Sequence, residues 1–194
     1  MDKNIFLLNL NLDNFYLDPN KIILNKNNFN INTYNFKIFK LIANQEKDKL
    51  IILFNSGNNK ININFQDDDG DTPLHIAIFM ANYDIVKILL DNHANVNITD
   101  KWGQTPLHRL YFCLNSNNLF KILQLLINHK CSFDKQDKNG NTILHLSLKQ
   151  IIKLNSKINI NLKKFLLKLK LLIPNDITNN ENISITDLFN QITI

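Results

Sequence analysis

Three histidines recur inside near-identical phrases. His75 lies in "DDDGDTPLHIAI", His108 in "DKWGQTPLHRL" and His145 in "DKNGNTILHLSL". Imidazole ligates metals and titrates near neutral pH, so such a ladder could hold a metal or move protons. Zinc sites need tighter company, such as H-E-x-x-H or closely paired cysteines, and neither spacing occurs. The near-fixed step supplies another reason for these residues: a partly buried histidine that ties its own turn to the next unit. No metal and no cofactor is expected.

The densest acidic cluster is Asp67, Asp68, Asp69 and Asp71. It has no companion His, Lys or Ser in a catalytic motif. It also lacks the acidic spacing and the Glu at position twelve that a calcium loop needs. A solvated turn, or a tip that touches a partner, is the reading. G-x-G-x-x-G, G-x-x-x-x-G-K-[ST] and G-x-S-x-G are all absent. With four glycines in the chain, a phosphate-cradling loop has little to be built from. Cys113 and Cys131 have no neighbouring base in sequence and read as buried core thiols. No catalytic residue set emerges, and the chain is not expected to be an enzyme.

These residues must be positioned by something, and bulk composition bounds what. The 194 residues are 44% hydrophobic, enough for one ordinary domain or a short repeat array. The 35 asparagines, with many Ile, Leu and Lys, point to AT-rich codons. Interleaving with Leu, Ile and Phe argues against an aggregating Asn tract. A net charge of +5 and a pI of about 9.1 permit acidic partners without requiring nucleic acid. Two cysteines cannot make a disulfide scaffold and suggest a reducing compartment. No apolar run is long enough to span a bilayer, so membrane insertion is not expected and an intracellular, cytoplasmic location is.

The repeat step is regular. Gly70 to Gly103 and His75 to His108 are each 33 residues, while Gly103 to Gly140 and His108 to His145 are each 37. "YDIVKILLDNHANVNITD" closes one unit and "FKILQLLINHKCSFDKQD" the next; Leu89 and Leu126 each stand 14 residues before the following glycine. The step and spelling resemble the ankyrin repeat. The matching residues are Asp67, Gly70, Thr72, Pro73, Leu74, His75 and Ala77, then Val86, Leu89, Leu90, Ala94, Val96 and Asn97. The next unit supplies Asp100, Gly103, Thr105, Pro106, Leu107 and His108. The third supplies Asp137, Gly140, Thr142, Leu144 and His145, with Ile143 in place of Pro. The resemblance is clear over residues 67–150 and extends in degraded form over 35–194. It implies an all-α solenoid of about four to five stacked helix–turn–helix units.

Physics explains the spelling. Asp-x-x-Gly makes a tight turn, and Gly accepts positive φ. Thr can cap the helix that follows, and Pro suits its first position. Leu74, Leu107 and Leu144 then point into the core. Ile85, Val86, Ile88, Leu89 and Leu90 give the second helix one apolar face. His93 and Lys130 stand where left-handed geometry is expected, at some backbone cost.

Weaker units flank the clear ones. Residues 35–66 read as a degenerate repeat without "TPLH", with extra residues in "NSGNNK" and Asn64 lying 33 before Asn97. Residues 67–99 and 100–136 are units, the second with a four-residue insert. Residues 137–178 form a unit delayed by a polar insert around "KQIIKLNSKIN", with "INLKKFLLKLKLLIP" as its second helix. Residues 179–194 read as a half-repeat cap, Asn182 near the Gly position and Ser184 near the Thr position. Residues 1–34 fit no unit and are read as a capping segment or a partly ordered arm.

By resemblance, the expected function is non-catalytic protein–protein recognition by a monomeric scaffold. Turn tips should present Asp69, Asp71, Trp102, Gln104, Asn139 and Asn141. The concave side should present Phe79, Arg109 and Phe112 from the first helices. Packing of Trp102 against the neighbouring turn is the other reading of that residue. "DDDGDTPLHIAI" is also similar to the wording of inhibitor-of-NF-kappa-B-like ankyrin proteins, which would imply binding a transcription factor. Short ankyrin chains of viral or intracellular-parasite origin are a known class, which would place the chain in a host cytoplasm. A third possibility lies between Lys138 and Asn175, where eight Lys occur with no Asp or Glu. Lys163, Lys164, Lys168 and Lys170 share one expected helix with Phe165, Leu166, Leu167 and Leu169. Such a segment could meet nucleic acid or another anionic surface, although the stacking aromatics that single-strand binders use do not interleave these lysines.

Overall fold

A computed structural model of the chain describes residues 33–56, 61–154, 160–173 and 177–192. Residues 1–32, within the expected N-terminal arm, lie outside these. The described residues form helices joined by turns: α1 Thr33–Ala43, α2 Lys47–Asn55, α3 Pro73–Phe79, α4 Tyr83–Asp91, a 3₁₀ helix Pro106–Cys113, α5 Leu119–Asn128, α6 Ile143–Leu154, α7 Ile160–Leu172 and α8 Ile185–Asn190. No strand is present among them. The fold is an all-α repeat solenoid.

Helices pair and the pairs stack. The inner layer runs α1, α3, the 3₁₀ helix, α6 and α8, each packed on the next. The second helices α2, α4 and α5 make the outer layer in the same order, and α7 packs on α6. Each unit buries its apolar stripe against both neighbours, which is why one unit cannot stand alone. On α4 the buried set is Ile85, Val86, Leu89 and Leu90, and on α5 it is Leu119, Ile122, Leu123 and Leu126. Asn82 caps α4 by accepting from the Ile85 amide at 3.1 Å.

Two elements differ from the simple repeat. The first helix of the third pair is wound as a 3₁₀ helix. Its core apolar residues Leu107, Leu110 and Cys113 come every third position, a period that matches three residues per turn, while Pro106, His108 and Arg109 are buried as well. The four inserted residues fall after it, where Asn118 reaches back to donate to the Ala81 carbonyl at 3.0 Å. The second difference is α6. The segment "KQIIKL", read as a polar insert, continues α6 to Leu154. Leu148 and Ile151 follow Leu144 at helical spacing and are buried, so the core extends the helix instead of looping out. Residues 155–159, the rest of that insert, lie outside the described residues.

His93 and Lys130 adopt φ of +66° and +60°, the left-handed geometry expected of the helix ends they follow. Asn182 has φ +57°, and Ser184 caps α8 with a reciprocal Ser184–Asp187 box.

Candidate functional site

The turns are built by their aspartates. Asp67 Oδ1 accepts from the amides of Asp69 and Asp71 at 3.0 and 2.9 Å, and Asp100 and Asp137 repeat the arrangement. Asn179 does the same for the last turn, taking the amides of Glu181 and Ile183. Gly70 closes its turn at φ +79°, and a Cβ there would stand 2.8 Å from the Lys101 amide nitrogen of the next turn. Consecutive turns are thereby joined: the Lys101 amide donates to Asp69, Lys138 to Trp102 and Asn180 to Asn139, at 2.9–3.1 Å.

The histidines are staples. His75 Nδ1 accepts from the Thr72 amide at 3.0 Å, which assigns the ring proton to Nε2. Nε2 then donates to the Gln104 carbonyl of the next turn at 3.1 Å. His108 reaches Asn141 at 3.3 Å and His145 reaches Ile183 at 3.2 Å in the same way. Burial pushes His75 down to about 3 and His108 down to about 4, and lowers His145. The neutral ring is the form this geometry uses.

Beneath the turns lies a charged network. Arg109 Nη2 donates to Asp71 Oδ1 and to Asp100 Oδ2, both at 2.6 Å, and Nη1 donates to Gln104 Oε1 at 2.9 Å. Gln104 Nε2 continues to Asp137 Oδ2 at 3.4 Å, and Asn179 Nδ2 donates to Asn141 Oδ1 at 3.0 Å. Burial raises the Asp71 carboxyl to about 6 and raises Asp100, against the pull of Arg109.

This corrects the expected contact surface. Asp71, Gln104 and Asn141, read as tips, are turned inward and buried, and Arg109, read as concave, is 1% exposed. The residue after each turn glycine faces the neighbouring unit: Asp71 meets Arg109 of the next inner helix, Gln104 meets Asp137 and Asn141 meets Asn179. One signal in the sequence points to this: Arg109 is the single arginine among 21 lysines. A guanidinium can serve three acceptors in fixed planar geometry, which a lysine cannot.

The other residues stay at the surface. Asn139 is exposed, Asp69 and Trp102 are half-buried, and Lys101 pairs with Asp69 while lying 4.7 Å over the Trp102 ring. Phe79 and Phe112 meet edge to face at 5.1 Å from adjacent inner elements and remain half-buried; Tyr111 adjoins Phe112 at 3.9 Å. Tyr111, the residue before Phe112, is not among the expected contact residues, although its place in the sequence puts it beside that ring. Trp102 stands in the turn before the 3₁₀ helix and Phe112 near its far end. Among the described residues no group of His, Cys, Asp and Glu could hold a metal ion. No helix there is long and apolar enough to cross a membrane.

Capped helix pairs stapled through their turns, with turn edges and inner-helix side chains left outward, define a class of stacked-repeat recognition scaffolds. The family model for ankyrin repeats in three copies matches residues 20–100 and 82–182, and the chain belongs to the ankyrin-repeat family. It is similar to a probable serine/threonine-protein kinase of Dictyostelium discoideum, 38% identical over 99 residues, half of this chain and 12% of that protein. It is also similar to an ankyrin repeat protein of Acanthamoeba polyphaga mimivirus, 32% identical over 120 residues, 62% of this chain and 14% of that protein. The chain thus spans about an eighth of each relative's length. Ankyrin repeats are general protein–protein interaction modules.

Proposed function

We propose that this chain is a non-catalytic recognition module for a protein partner, acting as a monomer through its turn edge and inner layer. The residues assigned to contact are Asp69, Trp102 and Asn139 at the turns and Phe79, Phe112 and Tyr111 on the inner elements. One observation carries the reading. The turns bury the side chains of Asp71, Gln104 and Asn141 between units, while those of Asp69, Trp102 and Asn139, whose carbonyls join the next turn, stay half-buried or exposed. The outward aromatics supply contact area at low side-chain entropy cost, and the stapled stack keeps the ordering cost of binding low. The repeat division at 35–66, 67–99, 100–136, 137–178 and 179–194 follows the turn aspartates, with Asn179 in the last. We also infer a reducing intracellular compartment from Cys113 and Cys131, which are free and buried.

The test is affinity capture from cell extract with wild type beside Trp102→Ala/Phe112→Ala, after circular dichroism shows equal folding. A protein captured by wild type and lost with the double variant is the expected result. Unchanged capture overturns the assignment.

A further inference from the structure

Helix α7 carries a second surface of different chemistry. Leu162, Phe165, Leu166 and Leu169 bury its inner face. Opposite them stand Ile160, Leu167 and Leu171, 64%, 44% and 84% exposed. Their spacing of seven and then four residues puts all three on one outward stripe. Lys164 and Lys168 border the stripe on one side, Lys163 and Lys170 on the other. Among the described residues no ion pair involves Lys163, Lys164, Lys168 or Lys170, though Lys170 lies 4.5 Å over the Phe189 ring. From Lys138 to Asn175 the sequence has no Asp or Glu.

The contrast with α4 is informative. That outer helix exposes Asp84, Lys87 and Asp91, with Lys87 and Asp91 paired at 2.6 Å. It is the ordinary solvated back of a repeat unit. An outer helix that exposes aliphatic residues between lysines without carboxylate partners is not.

We propose that α7 docks the chain onto an anionic membrane surface. The helix would lie in the plane of the interface, with Ile160, Leu167 and Leu171 at the acyl boundary and the lysines among the headgroups. Long lysine side chains suit this position, because their stems cover apolar surface while the ammonium stays in water. Anionic lipid supplies the complementary charge on both flanks of the stripe. Other occupants fit less well. Protein interfaces favour aromatics and Arg and are poor in Lys, whereas this face offers only aliphatics and Lys. A phosphate backbone would leave the aliphatic stripe unused, and Phe165, the helix's aromatic, is buried. A second copy packed face to face would set lysine flank against lysine flank.

The experiment is co-sedimentation of the full chain with phosphatidylcholine vesicles holding about 30% phosphatidylserine, beside vesicles of phosphatidylcholine alone. Two variants accompany wild type: Leu167→Ser/Leu171→Ser and Lys164→Glu/Lys168→Glu. Both alter outward positions, and circular dichroism checks their folding. Wild type should bind the anionic vesicles only, and each variant should lower the partition at least about tenfold. No binding to anionic vesicles overturns the proposal. So does binding that the leucine variant leaves intact, which marks a charge-only contact of the kind nucleic acid would make. Self-association of wild type abolished by Leu167→Ser/Leu171→Ser, with no lipid binding, assigns the face to a second copy instead. None of these results bears on the Trp102 and Phe112 surface, which is tested separately.

Discussion

Arg109 Nη2 lies 2.6 Å from Asp71 Oδ1, a bond between residues 38 apart in the chain. Asp71 ends one turn and Arg109 belongs to the next unit's inner helix, so the pair fixes how those two units sit. Both side chains are buried, so neither is available to a partner.

Arg109→Ala leaves Asp71 and Asp100 buried without their cation. The expected loss is about 3–5 kcal/mol, the usual effect of removing one partner from a buried ion pair. Arg109→Met combined with Asp71→Asn should lose less, because one stranded carboxylate is removed with the cation. Urea denaturation of the three proteins measures the difference.

Glycine and non-glycine positions of the same left-handed geometry should respond oppositely. Gly70→Ala adds a Cβ 2.8 Å from a backbone nitrogen at φ +79° and should cost upwards of about 2 kcal/mol. His93 has φ +66° and is exposed, so His93→Gly relieves strain without emptying the core and should stabilise by roughly 0.5–1 kcal/mol. Thermal melts of both variants decide it.

Acid should weaken the stack. The unfolded chain's histidines take up protons below about pH 6.5, while the folded His75 and His108 resist until about 3 and about 4. Their contribution is therefore present above about pH 6.5 and lost as pH falls toward 4. Asp71 opposes them. Its folded carboxyl keeps a proton up to about 6 where the unfolded one releases it near 3.8, so its contribution is lost as pH rises through that window. Burial raises Asp67 and Asp100 in the same direction. The displacement of the two histidines exceeds that of Asp71, and His145 is lowered in the same direction as they are, so the melting temperature should drop from about pH 6.5 to about pH 4.5. A melting temperature that is flat or rises on acidification contradicts this balance.

Much of the fold is legible in the residues themselves. The 33-residue step, Thr72 before Pro73 and the apolar face of "YDIVKILLD" dictate capped helix pairs that must stack. Local chemistry of that kind acts within a few residues and leaves its mark in sequence. The site is less legible. "DDDGD" and "DKNGN" look equally polar along their length, and "DKWGQ" departs from them only at Trp102. Which of their side chains turn inward depends on the neighbouring turn, 33 or more residues away. For that reason the sequence pattern alone puts Asp71, Gln104 and Asn141 at the tips, where they are not. Asp69, Trp102 and Asn139 differ from them only in standing before the glycine instead of after it. The 3₁₀ winding of Pro106–Cys113 is likewise not legible in "TPLHRL", which repeats the wording that forms an α-helix one unit earlier.

Recognition through the inner layer also predicts a graded response at its aromatics. Phe112→Ala removes the edge-to-face partner of Phe79 from a half-buried position. It should cost about 1–2 kcal/mol of stability, well below a fully buried Phe→Ala, yet weaken partner binding more than about tenfold if Phe112 is an anchor. Calorimetric titration with the captured partner, beside a thermal melt, separates the two effects.

The most direct measurement is site-specific photo-cross-linking. A photoreactive phenylalanine analogue would replace Trp102, Phe112 or, on the outer layer, Lys87, one at a time, in extract from the cell that makes the chain. The expected result is one shared protein adduct from positions 102 and 112 and none of that protein from position 87. An adduct from position 87 alone, or no protein adduct from 102 and 112, contradicts recognition through the turn edge and inner layer.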